Sequence, residues 1–249
     1  MSDRRSHRRH SARVAAAIAL AVILGASAIN AAAADLGGLR VGQLFTYGDD
    51  VTIDLPDPPG PLAGDDFTDC HGLLDTRQDS QGNEWTDHGG RWQCLGNGVV
   101  RSQMRLPLAH ASVDVARSDD LVVTTSVSDV SNQQARSGPG IALFTDGSSH
   151  MYVIYERDEG RVTLGKSSPW ANTGLHSVSV SDRESLEISV VIEQPRLAVL
   201  VDGSVVMTYD LSTLPANEQA LFLSKTRFGL ESDLDNQSRF DTFTIETLP

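Results

Sequence analysis

Leu197-Ala198-Val199-Leu200-Val201-Asp202-Gly203-Ser204-Val205-Val206-Met207-Thr208-Tyr209 places an Asp-Gly pair between two apolar, largely β-branched runs. Asp and Gly tolerate the left-handed backbone that a two-residue turn requires, so this stretch predicts a β-hairpin. Just upstream, Leu186, Ile188, Val190 and Ile192 alternate with Glu187, Ser189 and Val191. A period of two means a strand with one buried face. Further out the pattern repeats. Residues 121–130 are rich in Val and Thr, and the apolar runs 141–144 and 151–155 are separated by Asp146-Gly147. Residues 161–164 follow Asp158-Glu159-Gly160, and runs at 228–231 and 240–247 close the chain. Gly138-Pro139-Gly140 reads as a turn rather than a phosphate-binding loop. Hardly any helical period interrupts this order. Short strands at regular spacing with Gly-containing turns predict an all-β, antiparallel two-sheet sandwich. No repeat of 20–50 residues is present, which argues against a propeller or solenoid.

The N-terminus reads differently. Arg4, Arg5, Arg8, Arg9 and Arg13 precede an uncharged apolar run from Val14 to Ile29, followed by Ala31-Ala32-Ala33-Ala34. A basic segment, an apolar core and small residues at the cut point predict a secretory signal over residues 1–34. The alternative is an uncleaved anchor, since the run just reaches spanning length. Residues 35–64 hold a short segment and then Leu55-Pro56-Asp57-Pro58-Pro59-Gly60-Pro61, a semi-rigid spacer by composition. The folded domain is therefore expected over residues 65–249.

The formal net charge is −13, and the first 34 residues carry five Arg and one Asp, so their removal leaves −17. Such a balance excludes electrostatic binding to nucleic acid and disfavours anionic membrane surfaces. It suits a soluble monomer, secreted or held at the cell surface. Cys70 and Cys94 are the chain's two cysteines. In an exported protein they predict one disulfide.

Two stretches carry a family resemblance. Asp65-Asp66-Phe67-Thr68, Trp85 and Gly89-Gly90-Arg91-Trp92-Gln93-Cys94 lead to the Gly turn Gly96-Asn97-Gly98. Near the other end stand the hairpin quoted above, Phe228-Gly229-Leu230-Glu231-Ser232, and Arg239-Phe240-Asp241-Thr242-Phe243-Thr244-Ile245. In this order they resemble bacterial laminin-G-like domains of the concanavalin A-like lectin/glucanase superfamily. The resemblance implies a jelly-roll whose terminal strands pair, with Phe67 meeting Phe243 and Ile245. It also implies core positions for Trp85 and Trp92, and a structural Ca²⁺ near the terminal strands held in part by Asp66 and Asp241. The alternative for both Asp residues is a turn cap.

The resemblance leaves three functions open. The favoured one is non-catalytic binding of an extracellular glycan. Trp170, in Ser167-Ser168-Pro169-Trp170-Ala171-Asn172-Thr173-Gly174, offers a sugar platform in a loop-like setting, with Asn172 as a polar handle; the alternative is a cover for the sandwich's open end. The second is a glycoside hydrolase. Laminarinase-type enzymes of this fold carry paired acids on one strand, and Glu231, Asp233 and Asp235 approximate that pattern. The third acid is one methylene short and the stretch precedes the last strand, so a solvated acidic turn is the expectation. The third function is a structural or adhesive surface protein. His71, His88, His110, His150 and His176 stand far apart, with no i, i+2 or i, i+4 pair, and read as surface or hydrogen-bonded structural residues.

Overall fold

The computed structural model describes residues 35–36, 39–40, 60–117, 119–128, 130, 138–169, 171–233 and 238–248, apart from 102–107. The signal segment, most of the Pro-rich spacer, Trp170 and Asp235 lie outside the described residues. Among the described residues no helix is long and apolar enough to cross a membrane.

In chain order, Asp35–Leu36 (β1) and Leu39–Arg40 (β2) make a small antiparallel pair, followed by Ala63–Asp65 (β3), Thr68–Leu73 (β4), Thr86–His88 (β5), Trp92–Asn97 (β6) and Val99–Arg101 (β7). Then come Leu108–Asp114 (β8), Leu121–Ser128 (β9), Pro139–Thr145 (β10), His150–Glu156 (β11), Arg161–Ser168 (β12) and Ala171–Ser179 (β13). Leu186–Glu193 (β14), Arg196–Val201 (β15), Ser204–Asp210 (β16), the helix Ala216–Phe222 (α1), Arg227–Asp233 (β17) and Arg239–Thr247 (β18) complete the chain. Two antiparallel sheets result. One has the order β13-β12-β11-β10-β17-β8-β5; the other runs β16-β15-β14-β9-β18-β7-β6-β4, with β3 also on β18.

Each strand turns alternate residues into the space between the sheets. Val123 and Val127 of β9, Ile188, Val190 and Ile192 of β14, and Phe240, Phe243 and Ile245 of β18 come from one side. Ala111, Ile141, Leu143, Met151, Val153, Tyr155, Phe228 and Leu230 come from the other. The Asp202-Gly203 hairpin forms as expected: both residues have positive φ (48° and 74°), the twist a two-residue turn needs to match its strands. Trp85 and Trp92 are buried. Trp85 stands between Phe67 and Phe243, with ring centroids at 5.9 and 5.3 Å, so the two ends of the domain meet through this indole. Phe67 itself lies between β3 and β4, at φ 48°, rather than in a strand. Cys70 and Cys94 are bonded, with Cα atoms 5.1 Å apart, joining the paired strands β4 and β6.

Several local expectations are corrected. Pro139 and Gly140 open β10 instead of forming a turn, because Gly140 crosses the Val153 carbonyl so closely that a Cβ would stand 1.9 Å from its oxygen. Of the loop expected around 167–174, Ser167 and Ser168 belong to β12 and residues 171–174 to β13, an edge strand. The helix α1 was not foreseen; Pro215 before it supplies helix-compatible φ at its N-terminus, and Phe222 fastens it to the core.

Candidate functional site

The outward face of the seven-stranded sheet, away from the core, gathers the chain's chemistry. Register assigns its members. Glu231 of β17 is directly opposite His110 of β8 on one side and Gly140 of β10 on the other. One step along, Gly229 is flanked by Ser112 and Ala142, and Ala142 faces Tyr152 of β11. Residues directly opposite in a ladder share a face, and so do i and i+2. His110, Ser112, Glu231, His150 and Tyr152 therefore project together over a floor of Gly140, Ala142 and Gly229, which send up no long side chain. A register shift between Ala142 and Thr145, beside Phe144 at φ 51°, re-aims the end of β10 toward this cluster.

The distances are short. Nε2 of His150 stands 2.9 Å from Oε2 of Glu231. Nε2 of His110 is 2.7 Å from Oγ1 of Thr145, which also accepts the Gly147 N–H at 2.9 Å. His88 of β5 adds a third imidazole. Its Nε2 lies 3.0 Å from Ser112 Oγ, and its ring centroid is 4.4 Å from that of His110, which in turn is 4.3 Å from that of His150. The cluster is sealed: His110, His150 and Glu231 are 2%, 3% and 0% exposed. Burial, then the neighbouring His150 and His88, hold the His110 imidazole neutral, well below the usual histidine range. His88 is also pushed down, by burial first and then by Arg227, with Asp87 opposing.

This overturns two expectations. Glu231 is not in a solvated acidic turn; β17 sits within the sheet between β10 and β8, and its glutamate is fully buried. His88, His110 and His150, remote in sequence, are brought together because β5, β8 and β11 share one sheet. The usable signal was alternation: Leu108-Ala109-His110-Ala111-Ser112-Val113 and His150-Met151-Tyr152-Val153 each place the histidine on the face opposite the core residues.

The other candidates lie elsewhere. Asp233 ends β17, its backbone paired with Leu108. Asn172 is exposed on β13, and its Oδ1 accepts from Ser167 Oγ at 2.8 Å. Asp66 is exposed and accepts the Thr68 N–H at 3.0 Å. Asp241 accepts from Ser128 Oγ and from Arg239 Nε, both at 2.9 Å. The two carboxylates implied for calcium thus already have protein partners, a guanidinium among them, and do not fit a Ca²⁺ cage that needs six to eight oxygens. The buried acid of this region is the neighbouring Asp65. An open hollow at the end of the nine-stranded sheet is lined by Ser126, Ser185, Glu187, Asp202 and Asp241.

No family model matches the chain, and no curated protein aligns with it. Solved structures do share its architecture. Carbohydrate-binding module CBM66 from Bacillus subtilis superposes with a TM-score of 0.54 at 14% identity, over 66% of this chain and 95% of the module. A structure from work on endo-acting O-glycanases of the human gut microbiota gives 0.56 at 10% identity, over 76% of this chain and 100% of that one. The endo-1,3-beta-glucanase from Streptomyces sioyaensis gives 0.51 at 10% identity, over 80% and 99%. At such identities the likeness is one of fold alone, a jelly-roll sandwich.

Proposed function

We propose that this chain is an exported, monomeric module that binds an extracellular glycan without cleaving it. The glycan class rests on the architecture, shared over 66–80% of this chain with structures whose names concern carbohydrate binding or glycan cleavage. Binding rather than hydrolysis is supported by one observation: Glu231, the acid a hydrolase on this sheet would use, is 0% exposed. A general acid or nucleophile has to touch the glycosidic bond. The exposed polar edge strand β13, with Asn172, Thr173 and His176, is the surface on which a sugar would lie. Trp170 supplies a ring for stacking, Asn172 a donor and acceptor.

A second reading keeps one observation in its favour: Glu231 and Asp233 alternate on a strand inside the sheet, as the paired acids of a glycosidase would. A glycan array with the full chain, run beside reducing-sugar assays on β-glucans, separates the two. Retention without sugar release, lost in Trp170→Ala, supports the module. Release that vanishes in Glu231→Gln replaces it with the hydrolase, and neither activity leaves an adhesive or structural protein.

A further inference from the structure

We propose that His110, His150 and Glu231 form a buried site for one divalent transition-metal ion, with zinc the best match. Each residue offers one donor atom, and the three donors lie within 4.8 Å of one another. Around a tetrahedral zinc with bonds of about 2.0 Å, donors are about 3.3 Å apart. The 2.9 Å approach of His150 to Glu231 and the 4.8 Å limit bracket that spacing, so shifts of several tenths of an ångström bring all three onto one ion.

The surroundings fit a metal better than an ordinary polar core. Nδ1 of His110 is buried with no hydrogen-bond partner among the described residues. An unsatisfied buried nitrogen is costly, and such atoms in a native fold call for an explanation. The other nitrogen of His110 is already held by Thr145 Oγ1. If Nε2–H donates there, Nδ1 presents its lone pair, and Thr145, fixed by the Gly147 N–H, takes the orienting role usual behind a ligating imidazole. Two imidazoles and one carboxylate suit zinc and its neighbours in the transition series, whereas calcium and magnesium prefer oxygen. Because the donors come from β8, β11 and β17, an ion here would tie together three strands of one sheet. The site is independent of glycan binding on β13.

The experiment is metal loading of the full chain, stripped with a chelator and dialysed against micromolar Zn²⁺ or Co²⁺. The expected result is one metal per chain by mass spectrometry, a raised melting temperature with Zn²⁺, and visible Co²⁺ bands of tetrahedral intensity. Glu231→Gln and His110→Gln, close in shape to the wild type, should each weaken binding by at least about tenfold. Exposed His71→Ala should retain it. Less than about a tenth of an equivalent in the wild type, or equal loading in the two variants, overturns the site. If either variant fails to fold, the wild-type stoichiometry and Co²⁺ spectrum decide: absent or octahedral bands also overturn it.

Discussion

The guanidinium of Arg77 closes on the Asp65 carboxylate through two bonds, Nε to Oδ2 at 2.9 Å and Nη2 to Oδ1 at 2.8 Å. The same carboxylate accepts the Phe67 N–H at 2.9 Å and the Trp85 indole N–H at 3.2 Å. Asp65 thus ties β3 to Arg77 and to the ring that joins the two ends of the domain. Its charge is buried, so its polar groups depend on one another. Asp65→Ala should lower stability by about 3 kcal/mol, because it leaves a guanidinium, an amide and an indole N–H without their acceptor. A guanidinium chloride titration gives the answer; a loss below about 1 kcal/mol would mean that water replaces the carboxylate there.

Glu187 should show the opposite sign. Burial first, and then the Asp202 carboxylate, raise its pKa above the ordinary glutamate value. A raised carboxyl pKa means the folded state binds the proton more tightly than the unfolded one. At pH 7, where both states are ionised, the fold carries the cost; below about pH 4, where both are protonated, it does not. Glu187→Gln should therefore raise the melting temperature at pH 7, and the gain should vanish as the pH falls through the glutamate range. A gain unchanged between pH 7 and pH 3 would assign the effect to packing instead.

The sandwich was legible in the sequence because its signals are local. Alternation from Leu186 to Ile192 and the Asp202-Gly203 turn each involve a few neighbouring residues, and their physics does not depend on the rest of the chain. Trp85 and Trp92 could be assigned to the core on the resemblance. The histidine cluster was not legible, because it depends on which strands are neighbours. His110 and Glu231 face each other only once β8 and β17 pair, and no residue in either strand announces its partner. Glu231 reads as part of a turn because the acidic residues at 233 and 235 and the polar run after them resemble one. The strand in fact continues to Asp233.

Gly229 reports how tightly β17 and β8 pack. A Cβ there would come 1.8 Å from the Ala111 carbonyl oxygen, a backbone atom that cannot move aside alone. Gly229→Ala should cost about 3 kcal/mol or more, at the upper end of overpacking effects, since the ladder must separate to admit the methyl. It should also disturb the His110–Glu231 pair one step along the same strands. Soluble yield and urea midpoint test the first effect. Near-wild-type values would mean that the two strands are less closely apposed than described.

The Cys70–Cys94 bridge closes a loop of sequence separation 24 and links two strands already paired in the sheet at Gly72 and Cys94. Because the strands pair without it, the bond should act chiefly on the unfolded chain. In the loop-entropy picture a closure of this length restricts that chain by about 3–4 kcal/mol. The loop encloses Asp79, Trp85 and Asp87, whose hydrogen bonds to Gly64, Asp65, Gly90 and Trp92 shape this end of the sandwich. Replacing both cysteines by Ala should therefore preserve the far-ultraviolet dichroism at 25 °C while lowering the unfolding midpoint by that amount. A thiol-reducing agent should produce a similar shift in the wild type and none in the double variant. If the variant instead loses its sheet signal outright, the bond is needed to form the native arrangement, and the entropic account of its role fails.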